Sequence, residues 1–344
     1  MTKFIVAFIV TLIFFSSSLF PEKLAVLPEL NRPSMMDVSG SELYILDDFQ
    51  VKVYSLKDYR LLRKFGKKGQ GPGELFDLPD SPLTMIVGKE KVLLNSLYKI
   101  IVYEKSGKML KEKKFAPSFL IEAVSHGKNY ALTKFWRKDG TAVATTCLFS
   151  PDLKELKKLC ETTIPNSYKK RKIVMPPVST FARCGSDRLF VFDQTRTKDF
   201  TIKVFDLEGK PLPDIKASYR ELMMGDSFNK KVMDTLRAHP AFKILPPDFK
   251  KMLHIPEVLP VFRQCRVKDG KLYVQTYREK GDLSEFYILD FSGKVLKKIF
   301  LPGADRLQIR INPAATYTFQ GGKYYYLVDD IDEEQWELHV KKLD

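Results

Sequence analysis

One phrase repeats along this 344-residue chain, and the repeat limits what the chain can fold into. An alternating apolar strand leads to a polar turn, often containing Gly-Lys, and then to a second strand studded with lysine. Copies begin at Val51, Ile101, Cys147, Ile202 and Tyr287. Period-2 alternation around turn residues predicts a β-hairpin in each. The matched positions Tyr54, Tyr103, Phe149, Phe205 and Leu289 are 49, 46, 56 and 84 residues apart. The last gap holds a helical-looking stretch of roughly 40 residues, and removing it restores a period in the forties.

Another hairpin precedes each copy, with turns at Ser39-Gly40, Gly88-Lys89, His126-Gly127, Gly185-Ser186, Lys268-Asp269 and Gln320-Gly321. Four strands per repeat and six first hairpins predict an all-β chain, a six-bladed β-propeller. Only five second hairpins are complete. In the sixth, only the strand from Trp336 to Leu343 stands after the first hairpin, and the segment Lys23–Leu27 is expected to supply the missing outer strand. Pairing of Leu24–Leu27 with Glu337–Lys341 would leave no open sheet edge there.

The stretch 216–257 breaks the strand pattern and falls between the fourth and fifth blades. Asp226 is a fitting N-cap for a helix over 227–239, and Pro246-Pro247-Asp248 starts a second one. Such an insertion sits on one face of a propeller as a lid, a rim or partner surface, or as a packing decoration.

The first residues read as a targeting signal over residues 1–18, with the propeller in 19–344. Lys3 gives a positive start, Phe4 to Phe15 is apolar apart from Thr11, and Ser16-Ser17-Ser18 offers a cleavage site. An uncleaved anchor is the other reading, although the run falls short of the ~20 residues of a comfortable span. The expected location is secreted or periplasmic, in the cell envelope, as a monomer with no transmembrane span after cleavage. Export also argues against nucleic acid as a partner, despite a net charge of +15 spread along the chain. Four cysteines in an exported chain raise the question of disulfides. Cys147 and Cys160 fall on neighbouring strands of one repeat, either as a disulfide or as two buried thiols.

The segment Phe65-Gly-Lys-Lys-Gly-Gln-Gly-Pro-Gly-Glu-Leu-Phe-Asp-Leu-Pro79 resembles the blade connection of NHL-type propellers. Together with Leu259-Pro260-Val261-Phe262, it makes the chain resemble the bacterial exported six-bladed β-propeller family of NHL/TolB-like propellers. The resemblance implies the fold and export. A phosphate-loop reading of the glycines fails, because no Gly-Lys-Ser/Thr and no helix start follow them.

Catalytic patterns are sparse. His126, His239, His254 and His339 are not at ligand spacing, so no metal site is expected from them. There is no Gly-x-Ser-x-Gly elbow. Aligning the blades puts Asp47, Asn95, Thr133, Asp193, Thr276 and Asp329 at the ends of the second strands. They are expected to form a ring at one channel mouth, either holding a ligand or bonding their own turns. Arg183 and Arg263, on innermost strands, are candidate anion binders. The expected function is a non-enzymatic binding or scaffold propeller without a cofactor, engaging an envelope protein, peptide or glycan at the channel mouth and insertion. The alternative is a metal-dependent, lactonase-like hydrolase that binds Ca²⁺ through the Asp/Asn ring.

Overall fold

The computed structural model describes residues 21–343 apart from 77–82, 97, 116–118, 168–172, 175–179, 198, 224, 239–241, 244–245 and 303–314. The proposed signal segment therefore lies outside the described residues, as does His239. Strand β1 (Glu22–Val26) comes first and joins the final sheet.

Blade 1 contains β2 (Pro33–Ser39), β3 (Glu42–Asp47), β4 (Gln50–Ser55) and β5 (Leu61–Phe65). Blade 2 contains β6 (Thr84–Val87), β7 (Lys91–Asn95), β8 (Lys99–Glu104) and β9 (Met109–Lys114). Blade 3 is built from β10 (Phe119–His126), β11 (Asn129–Lys138), β12 (Thr141–Phe149) and β13 (Glu155–Ser167). A short β14 (Ile173–Val174) precedes blade 4, made of β15 (Thr180–Cys184), β16 (Arg188–Asp193), β17 (Asp199–Asp206) and β18 (Pro211–Ser218). The insertion follows with α1 (Asp226–Ala238), α2 (Pro247–Lys251) and β19 (Leu253–His254). Blade 5 has β20 (Gln264–Lys268), β21 (Lys271–Lys280), β22 (Leu283–Asp290) and β23 (Val295–Leu301). Blade 6 has β24 (Tyr317–Gln320), β25 (Lys323–Asp330), β26 (Gln335–Lys342) and, outermost, β1.

The innermost strands touch in the order β24, β2, β6, β10, β15, β20 and back to β24. That closed circuit makes the molecule a six-bladed β-propeller. Its closure is the expected one: β1 runs antiparallel to β26, with Glu22 opposite Val340 and Val26 opposite Glu337. The repeat alignment also holds in register. Tyr54, Tyr103, Phe149, Phe205 and Leu289 each face the first buried residue of their blade's second strand.

Strand alternation sends each sheet's two apolar faces toward its two neighbours. Six buried clusters result, one at each blade interface. The interface of blades 5 and 6 is aromatic. Tyr273 stacks on Phe319 at 3.9 Å, and Phe286 meets Tyr317, Phe319 and Tyr324. Each inner hairpin turns through two residues. At Asp269-Gly270 both central φ values are positive, 51° and 69°, which matches the right-handed twist of the strands.

The glycine-rich phrase is a stapled connection. Lys99 donates to the carbonyls of Gly71 at 2.8 Å and Glu74 at 2.9 Å, and Gly73 N donates to Glu112 at 2.7 Å. Gly66 has φ +90° and passes so close to Phe49 that a Cβ would lie 2.7 Å from its carbonyl oxygen. Those glycines are explained by chain path alone.

The disulfide reading is corrected. All four cysteines are free thiols. A bulge in β12–β13 places Cys147 opposite Lys158 and Cys160 opposite Thr146. Cys147 then packs toward blade 2 and Cys160 toward blade 4, on opposite faces of one sheet. No rotation of side chains bridges that arrangement.

The insertion has a small core of its own around Val232 and Leu236. It rests on the far end of β21, where Phe228 meets Tyr277 edge-on and Lys231 reaches Glu279 at 3.1 Å. Its β19 pairs in parallel with β14. No helix among the described residues is long and apolar enough to cross a membrane.

Candidate functional site

Because all six inner turns have the same length, counting back from them aligns the channel wall. Two residues before Ser39, Gly88, His126, Gly185, Lys268 and Gln320 stand Asp37, Ile86, Val124, Arg183, Arg266 and Thr318. Around the axis this tier has three sectors. Ile86 and Val124 are aliphatic, Arg183 and Arg266 are cationic, and Thr318 with Asp37 supplies a hydroxyl and a carboxylate. Five of the six, all but Thr318, line a cavity of about 620 Å³ that opens between the inner turns. Its wall carries five cations, Lys89, Lys91, Arg183, Arg266 and Lys268, against two anions, Asp37 and Glu90.

Each buried charge is held by its neighbours. Arg183 pairs with Glu122 of the preceding blade, and its Nε donates to the Cys265 carbonyl of the next at 2.9 Å. A bulge in β10 after Leu120 sets Glu122 in that position. Asp37 accepts from Thr318 Oγ1 at 2.8 Å and pairs with Lys268, which reaches to it from blade 5, at 2.6 Å. Burial works to raise the Asp37 carboxyl, yet Lys268, Arg266 and these hydrogen bonds hold it below the usual value.

Arg266 is the exception. It is 4% exposed, and its Nε has no hydrogen-bond partner. One terminal nitrogen reaches the Ala315 carbonyl at 3.4 Å, and the guanidinium lies 5.8 Å from the Tyr317 ring centre. Burial pushes its pKa down, against the opposing pull of Asp37.

Cys184 borders the same cavity, and the His126 imidazole packs behind it, off the cavity wall. His126 Nε2 lies 2.7 Å from the Asp206 carbonyl, which can only accept, so Nε2 carries the proton. Nδ1 is then free to accept the Cys184 thiol, 3.8 Å away. Burial drives the Cys184 thiol well above its ordinary range and lowers the His126 pKa. The pair is therefore neutral, which suits packing better than nucleophilic attack.

The six ring residues read from the sequence sit at the other end of the second strands, away from this cavity. Their register is also uneven. Counted from the turns, Asp47, Asp193 and Thr276 are equivalent, Asn95 and Thr133 fall one residue short, and Asp329 falls one beyond. A one-residue slip turns a side chain to the opposite face of its sheet. Most of the six are bound locally. Asp47 accepts from Arg32 N and Lys52 at 2.5 Å, and Asp193 from Thr195 at 2.9 and 2.6 Å. Asn95 donates to Thr84, Thr133 meets Thr146, and Thr276 donates to Glu285 at 2.7 Å. Asp329 is exposed opposite Trp336. Among the described residues, no group of three or more His, Cys, Asp or Glu is arranged to hold a metal ion.

Of the two arginines expected at the channel, Arg183 lines the cavity. Arg263 does not: it precedes β20 at the ring end, where its N–H donates to Gln275 at 2.7 Å. Arg266, three residues on, takes the channel position. The insertion also stands at the ring end, and none of its described residues lines the cavity.

No family model matches the chain, and no curated protein matches it. Among solved structures, a member of the DUF4221 family from Bacteroides vulgatus is 12% identical, with a TM-score of 0.49, over 94% of this chain and 98% of that one. The Pan2 WD40 domain of Neurospora crassa is 8% identical with a TM-score of 0.44, covering 94% and 96%. A Bacteroides caccae protein of unknown function is 10% identical with a TM-score of 0.39, covering 86% and 82%.

Proposed function

We propose that the chain is a non-enzymatic binding propeller that works outside the cytoplasm and holds its ligand in the cavity between the inner turns. The supporting observation is the cavity itself. It gathers charged side chains from blades 1, 2, 4 and 5 around one pocket, and its volume falls in the usual range for small-molecule sites, ~300–1,000 Å³. Rigid strands present the side chains, so the pocket is formed before any ligand arrives.

Thermal unfolding with panels of anionic, cationic and neutral small molecules tests the reading. A ligand at 100 times its dissociation constant adds about 2.7 kcal/mol to the folded state. At least one class is expected to raise the melting temperature, and Ile86→Trp, which narrows the cavity at its apolar wall, is expected to reduce the gain. No response to any class, or an equal response in Ile86→Trp, would remove the proposal. Export is tested separately by sequencing the N-terminus of the chain recovered outside the cytoplasm. A start shortly after Ser18 supports it, and an intact Met1 in the cytoplasm contradicts it.

A further inference from the structure

Arg266 leaves a gap in an otherwise satisfied wall. Asp37 has Lys268 and Thr318, and Arg183 has Glu122 and a backbone carbonyl. The Arg266 guanidinium is more than nine-tenths buried and lines the cavity, and among the described residues it has no carboxylate within pairing distance and no partner for Nε. A buried cation in that condition is costly unless something completes it. A planar guanidinium is best completed by a carboxylate or phosphate, which takes two parallel N–H groups at once. Across the tier, Ile86 and Val124 offer an apolar wall with no polar group to satisfy.

We infer that the cavity binds a compact organic anion, its carboxylate or phosphate against Arg266 and its aliphatic body against Ile86 and Val124. The inference rests on the cavity being a ligand site and adds the ligand's chemistry. Lys89 and Lys91 on the cavity wall favour approach of an anion. An amine ligand would meet the unpaired guanidinium as a like charge.

Titration calorimetry on the purified chain with octanoate, monooctyl phosphate, octanol and octylammonium tests the inference without any variant. Octanoate or octyl phosphate should bind saturably with one site, and the stronger of the two identifies the head group. Octanol should bind at least tenfold more weakly, and octylammonium should show no saturable binding. Arg266→Met should weaken the anion at least tenfold while its melting temperature stays at or above that of the wild-type chain, because the substitution removes a buried charge that makes no ion pair among the described residues. A purely structural Arg266 gives the opposite: a lower melting temperature with anion binding unchanged. Tighter binding of octylammonium or octanol, weakened by Ile86→Trp, would overturn the anion assignment and leave the cavity as a ligand site. Silence from all four probes and from the wider panels would remove both.

Discussion

Glu122 and Arg183 show how much a single pair in the channel can weigh. Both are buried, and the carboxylate also accepts from Ala182 N at 3.2 Å. Removing one partner leaves the other charged and buried, at a cost of about 3–5 kcal/mol. Glu122→Ala should lose stability on that scale in urea melts, and adding Arg183→Met should restore most of it. A loss below about 1 kcal/mol would mean that water reaches the guanidinium and screens it. His126 gives a pH signature. Burial depresses its pKa, so below about 6.5 the unfolded chain binds more protons than the folded one. Its contribution is complete above that value and is lost as the pH falls toward the folded pKa. Urea midpoints should therefore drop between pH 7.5 and 5.5, and the drop should shrink in His126→Gln; identical slopes would contradict it. At this scale Arg183 was legible from strand alternation, and Arg266 could have been. Both stand two residues before an inner turn, as Asp37 does. The count was hidden because Arg263 follows the apolar phrase Leu259–Phe262, a pattern that reads as the start of a strand. In the structure Val261 and Phe262 are already core at the interface of blades 4 and 5, and β20 starts only at Gln264.

Strands carried most of what could be read in advance, because alternation and turn chemistry are local. The helix of the insertion was visible for the same reason: Asp226 begins α1, and the Pro247-Asp248 start begins α2. The N-terminal strand is the element with the largest consequence. β1 covers the edge of β26, and Leu24 and Ala25 pack on the blade 6 to blade 1 cluster. A chain starting at Pro28 should melt at a lower temperature and self-associate, because the exposed β26 edge can pair with another copy. Size-exclusion chromatography with light scattering measures this. A monomer of unchanged melting temperature would show that β26 is stable unpaired. The ion pair of Lys23 with Glu337 at 2.5 Å contributes little to the effect, since Lys23 is half exposed.

Across the whole molecule, stability is distributed over six interfaces of similar construction. Phe286 is completely buried among aromatic rings where blade 5 meets blade 6. Phe286→Ala should cost about 3–5 kcal/mol, the usual range for a large-to-small change in a packed core. Chemical denaturation checks the magnitude, and a cost under 1 kcal/mol would mean that the neighbouring rings collapse into the space. The sequence by itself determined the blade count, the four-strand repeat, the closure of blade 6 by the opposite terminus and the place of the insertion. These follow from periodicity, which is written along the chain. Only the tertiary structure decided which end of the channel holds the cavity, that Arg266 rather than Arg263 faces it, and that Cys147 and Cys160 point apart. Those outcomes depend on strand register, bulges and contacts between different blades. A shift of one residue reverses the face of a side chain, and no local pattern in the sequence records it.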